Sequence, residues 1–404
     1  MKRNILLIVC FAVFLSSADL IVRAQIVVEK SGGAKTSIDL SGMKTTGGKW
    51  AGEFRKVLES DLVRSGWFSI MPAGQGGIVI AGSCAESGGR INVNCLVSNR
   101  ASGKNLMRES YDDAASEART LAHRVADDIL LAVRNIKGMA SCRIVMIGSS
   151  SKGADIYVCD SDGGNMIRLT RNESPCLSPS WGPDGKTVVH TSFHGGFPDI
   201  YKIDLNINKM TKLAGFPGLN SGADISPNGK EVCLTLSKDG NPDIYIMSMR
   251  GGRLKRLTST PHAAEASPSW SPDGRELVFV SDQTRQPQLY IISAGGGNPR
   301  RISRRGSENV APDWGPDGRI AFSSRRGGCY QICVLDPSTS QEIQVTGDGA
   351  DYEDPSWAPD GRHIVCSRTV NYRSELCIVD TLGDELIRLT PAGGDWYSPS
   401  CSWK

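Results

Sequence analysis

One phrase recurs along the last two thirds of the chain and dictates what that region can be. It stands as SPSWGPDGK (Ser178–Lys186), DISPNGK (Asp224–Lys230), SPSWSPDGR (Ser267–Arg275), APDWGPDGR (Ala311–Arg319) and PSWAPDGR (Pro355–Arg362). A shortened copy, SPSCSWK, occupies Ser398–Lys404. The turn glycines Gly185, Gly229, Gly274, Gly318 and Gly361 are separated by 44, 45, 44 and 43 residues. A fixed period of this length denotes a solenoid, a propeller or another repeat array. Within each period a Pro-Ser-Trp strand precedes the Pro-Asp-Gly turn. An apolar strand, an Ile-Tyr strand and an Arg-Leu-Thr strand follow. Proline presets the turn, Asp bonds its own backbone, and Gly supplies positive φ. Four short antiparallel strands per period is the content of a propeller blade. Middle strands such as Ile144–Ile147, Leu277–Val280 and Ile364–Cys366 are unbroken apolar runs, which suit sheets covered on both faces.

Five blades begin at Trp181, Ile225, Trp270, Trp314 and Trp357. The segment Cys142–Thr170 has three strands but no Pro-Ser-Trp strand before them, and Ser398–Trp403 supplies one. The expectation is a six-bladed ring over 141–404, closed by the C-terminal strand so that two sheet edges disappear. The recurring Trp residues and the Pro-Asp-Gly turns are expected to be scaffold.

Residues 25–140 have no such period and read as an α+β domain. Helices are expected over Gly48–Arg64, with Trp50, Phe54, Val57, Leu58 and Leu62 in one stripe, and over Ala114–Arg134. Strands are expected at Ile26–Val28, Trp67–Ile70, Ile78–Cys84, Arg90–Val97 and Leu106–Tyr111, the third and fourth forming a hairpin. His123 and Asp127 lie four apart on the second helix, opposite its apolar stripe, so they are placed to meet each other or a neighbouring domain.

Met1–Ala24 has the form of a secretory signal: Lys2 and Arg3, an apolar run from Ile5 to Leu15, and Val22-Arg23-Ala24 before Gln25. Its apolar run is shorter than a membrane span. A soluble, exported mature chain is expected. Losing Lys2, Arg3 and Arg23 against Asp19 takes the net charge from +3 to +1, which gives no support for nucleic-acid or anionic-membrane binding. Of 12 cysteines, Cys10 leaves with the signal. The others lack CxxC pairs and nearby His partners, so no zinc and no other cofactor is expected. Cys366 and Cys377, and likewise Cys84 and Cys95, fall on hairpins where each pair could bridge; burial as small apolar residues is the other reading. The remaining histidines, His190, His194, His262 and His363, share no partner pattern.

Three further segments carry a resemblance. They are Asp61-Leu62-Val63-Arg64-Ser65-Gly66-Trp67-Phe68, Ala122-His123-Arg124-Val125-Ala126-Asp127 and Asp160-Ser161-Asp162-Gly163-Gly164-Asn165. In this order, followed by the repeats, they resemble the TolB family of the Tol–Pal envelope system across the whole mature chain. The resemblance implies no enzymatic activity, a periplasmic location, and a monomeric adaptor with two partners. A Pal-like peptidoglycan-associated lipoprotein would meet the propeller mouth. By position the contacts are Asn220, Ser221, Glu265, Ala266, Ser267, Glu308, Asn309, Glu353, Asp354, Trp396 and Tyr397. A TolA-like inner-membrane protein would engage the arm Gln25–Gly33, beginning Gln25, Ile26, Val27, Val28, Glu29 and Lys30, whose strand character suits β-augmentation. Two departures from the family pattern occur: Leu219-Asn220-Ser221-Gly222 lacks a histidine before its Asn, and Ile136–Arg143 lacks Phe-x-Thr.

Two alternatives stand beside this one. A peptidase-type propeller would need a hydrolase domain of roughly 200 residues and a G-x-S-x-G elbow, whereas Gly148-Ser149-Ser150-Ser151-Lys152 ends in Lys. A carbohydrate- or peptidoglycan-binding propeller would gather aromatic residues at its mouth, with Tyr352, Trp396 and Tyr397 as candidates.

Overall fold

The structure, a computed structural model, describes residues 34–150, 153–171, 174–391 and 394–403. The signal Met1–Ala24 and the arm Gln25–Gly33 lie outside the described residues.

The N-terminal unit is one sheet with two helices on a single face. Its elements are β1 (Thr36–Thr46), α1 (Lys49–Arg64), β2 (Phe68–Ile70), β3 (Ile78–Ser87), β4 (Arg90–Asn99), β5 (Asn105–Ala114) and α2 (Ala118–Arg134). The sheet order is β2-β1-β3-β4-β5, with β1 parallel to both neighbours. Phe54, Leu58 and Leu62 of α1 and Leu121, Val125 and Ile129 of α2 bury against Ile38, Ile80, Ile91 and Val93 of the sheet. The interior strand β1, second from one edge, has no counterpart in the sequence reading. A bulge between Asp39 and Gly42 breaks its alternation, and it carries no β-branched run to announce it. The second helix begins later than expected, a 3₁₀ turn covering Ala115–Glu117.

From Arg143 the chain forms six four-stranded sheets, a six-bladed β-propeller. The first blade contains β6 (Arg143–Ser150), β7 (Gly153–Asp160) and β8 (Ile167–Arg168). Its inner strand is the C-terminal Asp395–Cys401, paired antiparallel with β6. Cys401 lies opposite Ile144, and Ser402 N donates to Arg143 O at 2.8 Å. The two ends of the ring are therefore hydrogen-bonded into one sheet.

The repeated phrase does what its chemistry suggests. Asp184, Asp273, Asp317 and Asp360 each accept from the amide two residues on, at 2.9–3.0 Å. The following glycines have φ between +63° and +88°, a region that costs other residues steric strain. Trp181, Trp270, Trp314 and Trp357 are buried between blades. A second repeated device clips the outer strand of five of the six blades. Thr170, Thr258, Ser303, Thr346 and Thr390 accept, through the hydroxyl, the amides of Ile156, Ile244, Leu289, Ile332 and Leu376 at 2.9–3.0 Å. This is the physical content of the Arg-Leu-Thr strand.

Candidate functional site at the propeller mouth and the domain junction

Each inner strand begins at the mouth, and each contains a bulge. The six equivalent residues Ser178, Gly222, Ser267, Ala311, Asp354 and Ser398 all have φ between +46° and +58°. The kink turns the next polar residue towards the axis, giving a ring of Ser180, Asp224, Ser269, Asp313, Ser356 and Ser400 around a cavity of ≈ 150 Å³. These side chains stitch neighbouring blades together. Asp224 accepts from Trp270 N at 2.9 Å, Ser269 from Trp314 N at 3.1 Å, Asp313 from Trp357 N at 2.6 Å and Ser356 from Cys401 N at 3.0 Å. Burial pushes Asp224 up to about 6 and Asp313 up to about 7.

The mouth residues expected from the sequence divide into two sets. Asn220, Glu265 and Asn309 are buried and hold the loops from beneath. Asn220 bonds both backbone groups of Phe216, and Asn309 donates to Gln288 Oε1 and Arg305 O. Glu265 accepts from Ser281, and burial pushes its carboxyl up to about 7. They lie beside the mouth, and in this structure their side chains are turned from solvent. Ser221, Ala266, Ser267, Glu308, Glu353, Asp354 and Tyr397 are half-buried at the rim. Of the expected aromatics, Tyr352 is buried, and Trp396 packs edge-on against Tyr157 at 5.1 Å.

The exposed apolar groups at the mouth are different residues. Phe197 is 73% exposed on the loop between the second and third strands of its blade, and Tyr372 is 98% exposed on the equivalent turn of the last full blade. Leu177, Leu219 and Val370 add smaller exposed surfaces at the same end of the ring. Gly195-Gly196-Phe197-Pro198 was the available signal: an aromatic held in a glycine- and proline-rich loop has no core to enter.

At the opposite end of the ring, the N-terminal unit sits over the first and last-numbered blades, where the ring closes. His123 Nδ1 is 2.6 Å from Asp61 Oδ2 of α1, and Nε2 is 3.5 Å from Asp160 Oδ2 of the propeller. Burial opposes its charge, but the Asp160 and Asp61 carboxylates outweigh it and hold the imidazole up to about 9. Arg119 reaches Asp162 at 2.5 Å, and Arg362, from the last full copy of the repeated phrase, stacks its guanidinium 4.5 Å over Trp67. Asp127 does not meet His123; it accepts from the amides of Ala140 and Ser141 at 2.9 and 2.8 Å, pinning the interdomain link. His123 is buried and Asp127 half-buried, because the face opposite the apolar stripe is covered by the propeller and its link. Among the described residues, His123, Asp160 and Asp162 are close enough to share a metal ion. The Arg119 guanidinium already supplies positive charge there.

The segments 61–68, 122–127 and 160–165, separate in sequence, thus converge on one junction. The TolB beta propeller domain model matches residues 132–404. The chain belongs to the TolB β-propeller family. It is similar over its length to the crystal structure of TolB from Acinetobacter baumannii, with a TM-score of 0.81 and 26% identity, covering 92% of this chain and 98% of that one. It is 30% identical over 251 residues to the Tol-Pal system protein TolB of Alcanivorax borkumensis, covering 56% of this chain and 58% of that protein. The protein of that name from Legionella pneumophila (strain Corby) is 30% identical over 190 residues, 42% of this chain and 45% of its own length. The match therefore spans about half the length of these curated relatives. No helix of the described residues is long and apolar enough to cross a membrane.

Proposed function

We propose that this TolB-family chain is a periplasmic, non-enzymatic adaptor of a Tol–Pal envelope system. Its mouth receives a Pal-like peptidoglycan-associated lipoprotein, and its arm Gln25–Gly33 engages a TolA-like inner-membrane protein. Through these partners it supports outer-membrane integrity and envelope constriction at division. The observation that carries this reading is the near full-length correspondence to a TolB fold, with an apolar rim at one end of the ring. An exposed aromatic pair on a rigid ring suits protein docking, because aromatic anchors fix large contact area at small entropic cost. Half-buried Ser221, Ser267, Glu308, Glu353, Asp354 and Tyr397 then form the polar edge around those anchors. Partner exchange follows if docking at one site alters affinity at the other, a coupling that is reciprocal by thermodynamic necessity.

The test is a pair of binding titrations on the chain 25–404, against the soluble domains of its own lipoprotein and TolA-like partner. Removing Gln25–Gly33 is expected to abolish TolA binding. Substituting Phe197→Ala and Tyr372→Ala is expected to weaken lipoprotein binding. Retention of both affinities, or binding to peptidoglycan fragments in place of the lipoprotein, refutes the assignment.

A further inference from the structure

The last full blade contains two thiols that face one another. Its hairpin joins His363–Val370 to Arg373–Asp380 through Asn371-Tyr372, both with positive φ (51° and 60°). This two-residue turn fixes the register of the hairpin, and the register places Cys366 directly opposite Cys377. Their sulfur atoms are 3.6 Å apart, and both residues are fully buried. Directly opposed residues of an antiparallel pair have Cα atoms roughly 4.5–5.5 Å apart, inside the span of a disulfide. The other neighbouring cysteines are staggered. Cys84 lies opposite Val93, two residues short of Cys95. Cys401 lies opposite Ile144, two residues from Cys142, and the two thiols touch across this offset at the seam. Diagonal partners are roughly 7–8 Å apart at Cα, beyond an unstrained bridge.

We propose that Cys366 and Cys377 form a cross-strand disulfide closing this hairpin, while the other described cysteines remain thiols. The inference rests on the exported location proposed above, since an oxidising compartment is where such a bond persists. The oxidant is the disulfide of a thiol–disulfide oxidoreductase or of a small thiol. One cysteine thiolate attacks that disulfide, giving a mixed disulfide and releasing one thiolate. The second cysteine attacks the mixed disulfide and releases the other. The protein loses two electrons and two protons, and the oxidant's S–S bond is reduced to two thiols. The exchange belongs to the open hairpin, before packing of the blade buries both sulfur atoms.

Trypsin separates the two cysteines, cutting after Arg362, Arg368, Arg373 and Arg388. The chain is alkylated in denaturant without reductant, digested and weighed. Linked peptides His363–Arg368 and Ser374–Arg388, two hydrogens lighter than their sum, are expected in nearly all molecules. The linked ion disappears on reduction and in the Cys366→Ser/Cys377→Ser variant. Two protein sources are compared. One is the chain recovered after export, identified by a processed amino terminus. The other is chain 25–404 refolded from the reduced, unfolded state in a glutathione redox buffer. Alkylation of both cysteines in exported protein, or a different pairing after refolding, overturns the proposal. Recovery with Met1–Ala24 still attached defeats the exported reading instead, and the refolding arm alone then decides the disulfide.

Discussion

The two ends of the propeller are held by opposite kinds of interaction. Around the mouth, six bulged strands contribute small side chains, and neighbouring blades meet through backbone amides donating to Ser and Asp. Any one of those contacts has close equivalents around the ring. At the other end, two blades meet the N-terminal unit through buried and half-buried charges, of which only Arg362 belongs to the repeated phrase: Asp61, Arg119, His123, Asp160, Asp162 and Arg362. Repetition makes the ring tolerant of single losses, whereas the junction depends on each member, since removing one partner strands another charge away from water.

The seam is the exception within the ring, and it carries the largest expected effect. Deleting residues 395–404 removes the inner strand of the first blade and leaves β6 as an open edge. We expect loss of the cooperative propeller unfolding transition, read by circular dichroism on heating, with aggregation visible by size-exclusion chromatography. A truncated chain melting like the full one would show that closure adds little.

Next in size is the junction. Asp61→Ala leaves His123 buried without its 2.6 Å partner, and breaking such a pair costs about 3–5 kcal/mol. Urea unfolding measures the loss, and proteolysis between Ile136 and Arg143 should accelerate as the units part. The same pair sets a pH dependence. The imidazole is held up to about 9 from an ordinary 6.5, so its contribution is fully present below pH 6.5 and is lost as pH rises through 9. At ~1.36 kcal/mol per unit the loss is on the order of 3 kcal/mol. A His123→Ala chain, already weaker at neutral pH, should show a flatter stability profile between pH 6.5 and 10. An unchanged slope would place the titrating group elsewhere.

How much of this was legible before the structure follows the same division. The period exposed the ring, its six blades and the seam, because each turn needs its Asp and Gly locally. The bulges at Ser178 and its five equivalents are not visible in the sequence, since five of the six positions hold serine, alanine or aspartate, which do not demand positive φ, and only Gly222 is a glycine. Asn220, Glu265 and Asn309 read in the sequence as partner contacts because polar residues before a strand resemble a surface loop; in the structure they are buried and hydrogen-bonded beneath the loops, which no local pattern announces. His123 and Asp127 were recognisable as residues facing another domain. Their partners, Asp61, Asp160 and the amides of Ala140 and Ser141, come from three different elements, and no local pattern links them. Strand β1 is unmarked in the sequence for a related reason: its partners β2 and β3 follow it across a helix, and its own alternation is broken at Asp39–Gly42.

Smaller effects test how tightly the link is pinned. A Cβ placed on Gly138 would lie 1.9 Å from Asp127 Oδ1 and 3.0 Å from its Cα. Gly138→Ala therefore pushes the carboxylate off the amides of Ala140 and Ser141, at a cost of about 1–3 kcal/mol for the orphaned groups. The unfolding midpoint in urea should fall accordingly. Gly52→Ala serves as control, because a Cβ there meets nothing within 4 Å and, like Gly138, Gly52 does not have positive φ. Equal losses in both variants would mean that adding a Cβ, and not the Asp127 contact, governs the first.

The smallest effect on stability is expected at the mouth, where it coincides with the largest effect on binding. Phe197 and Tyr372 are 73% and 98% exposed, so truncating either to Ala removes almost no buried contact and should shift stability by less than about 0.5 kcal/mol. As docking anchors, each would cost about 2 kcal/mol of partner affinity, roughly a thirtyfold rise in Kd. Junction variants such as Asp61→Ala invert the ratio, losing stability first. Calorimetric titration of the lipoprotein domain beside urea unfolding of the same samples measures both quantities. If Phe197→Ala and Tyr372→Ala change neither, the exposed aromatics are not the docking anchors, and the half-buried polar residues of the rim become the surface to mutate next.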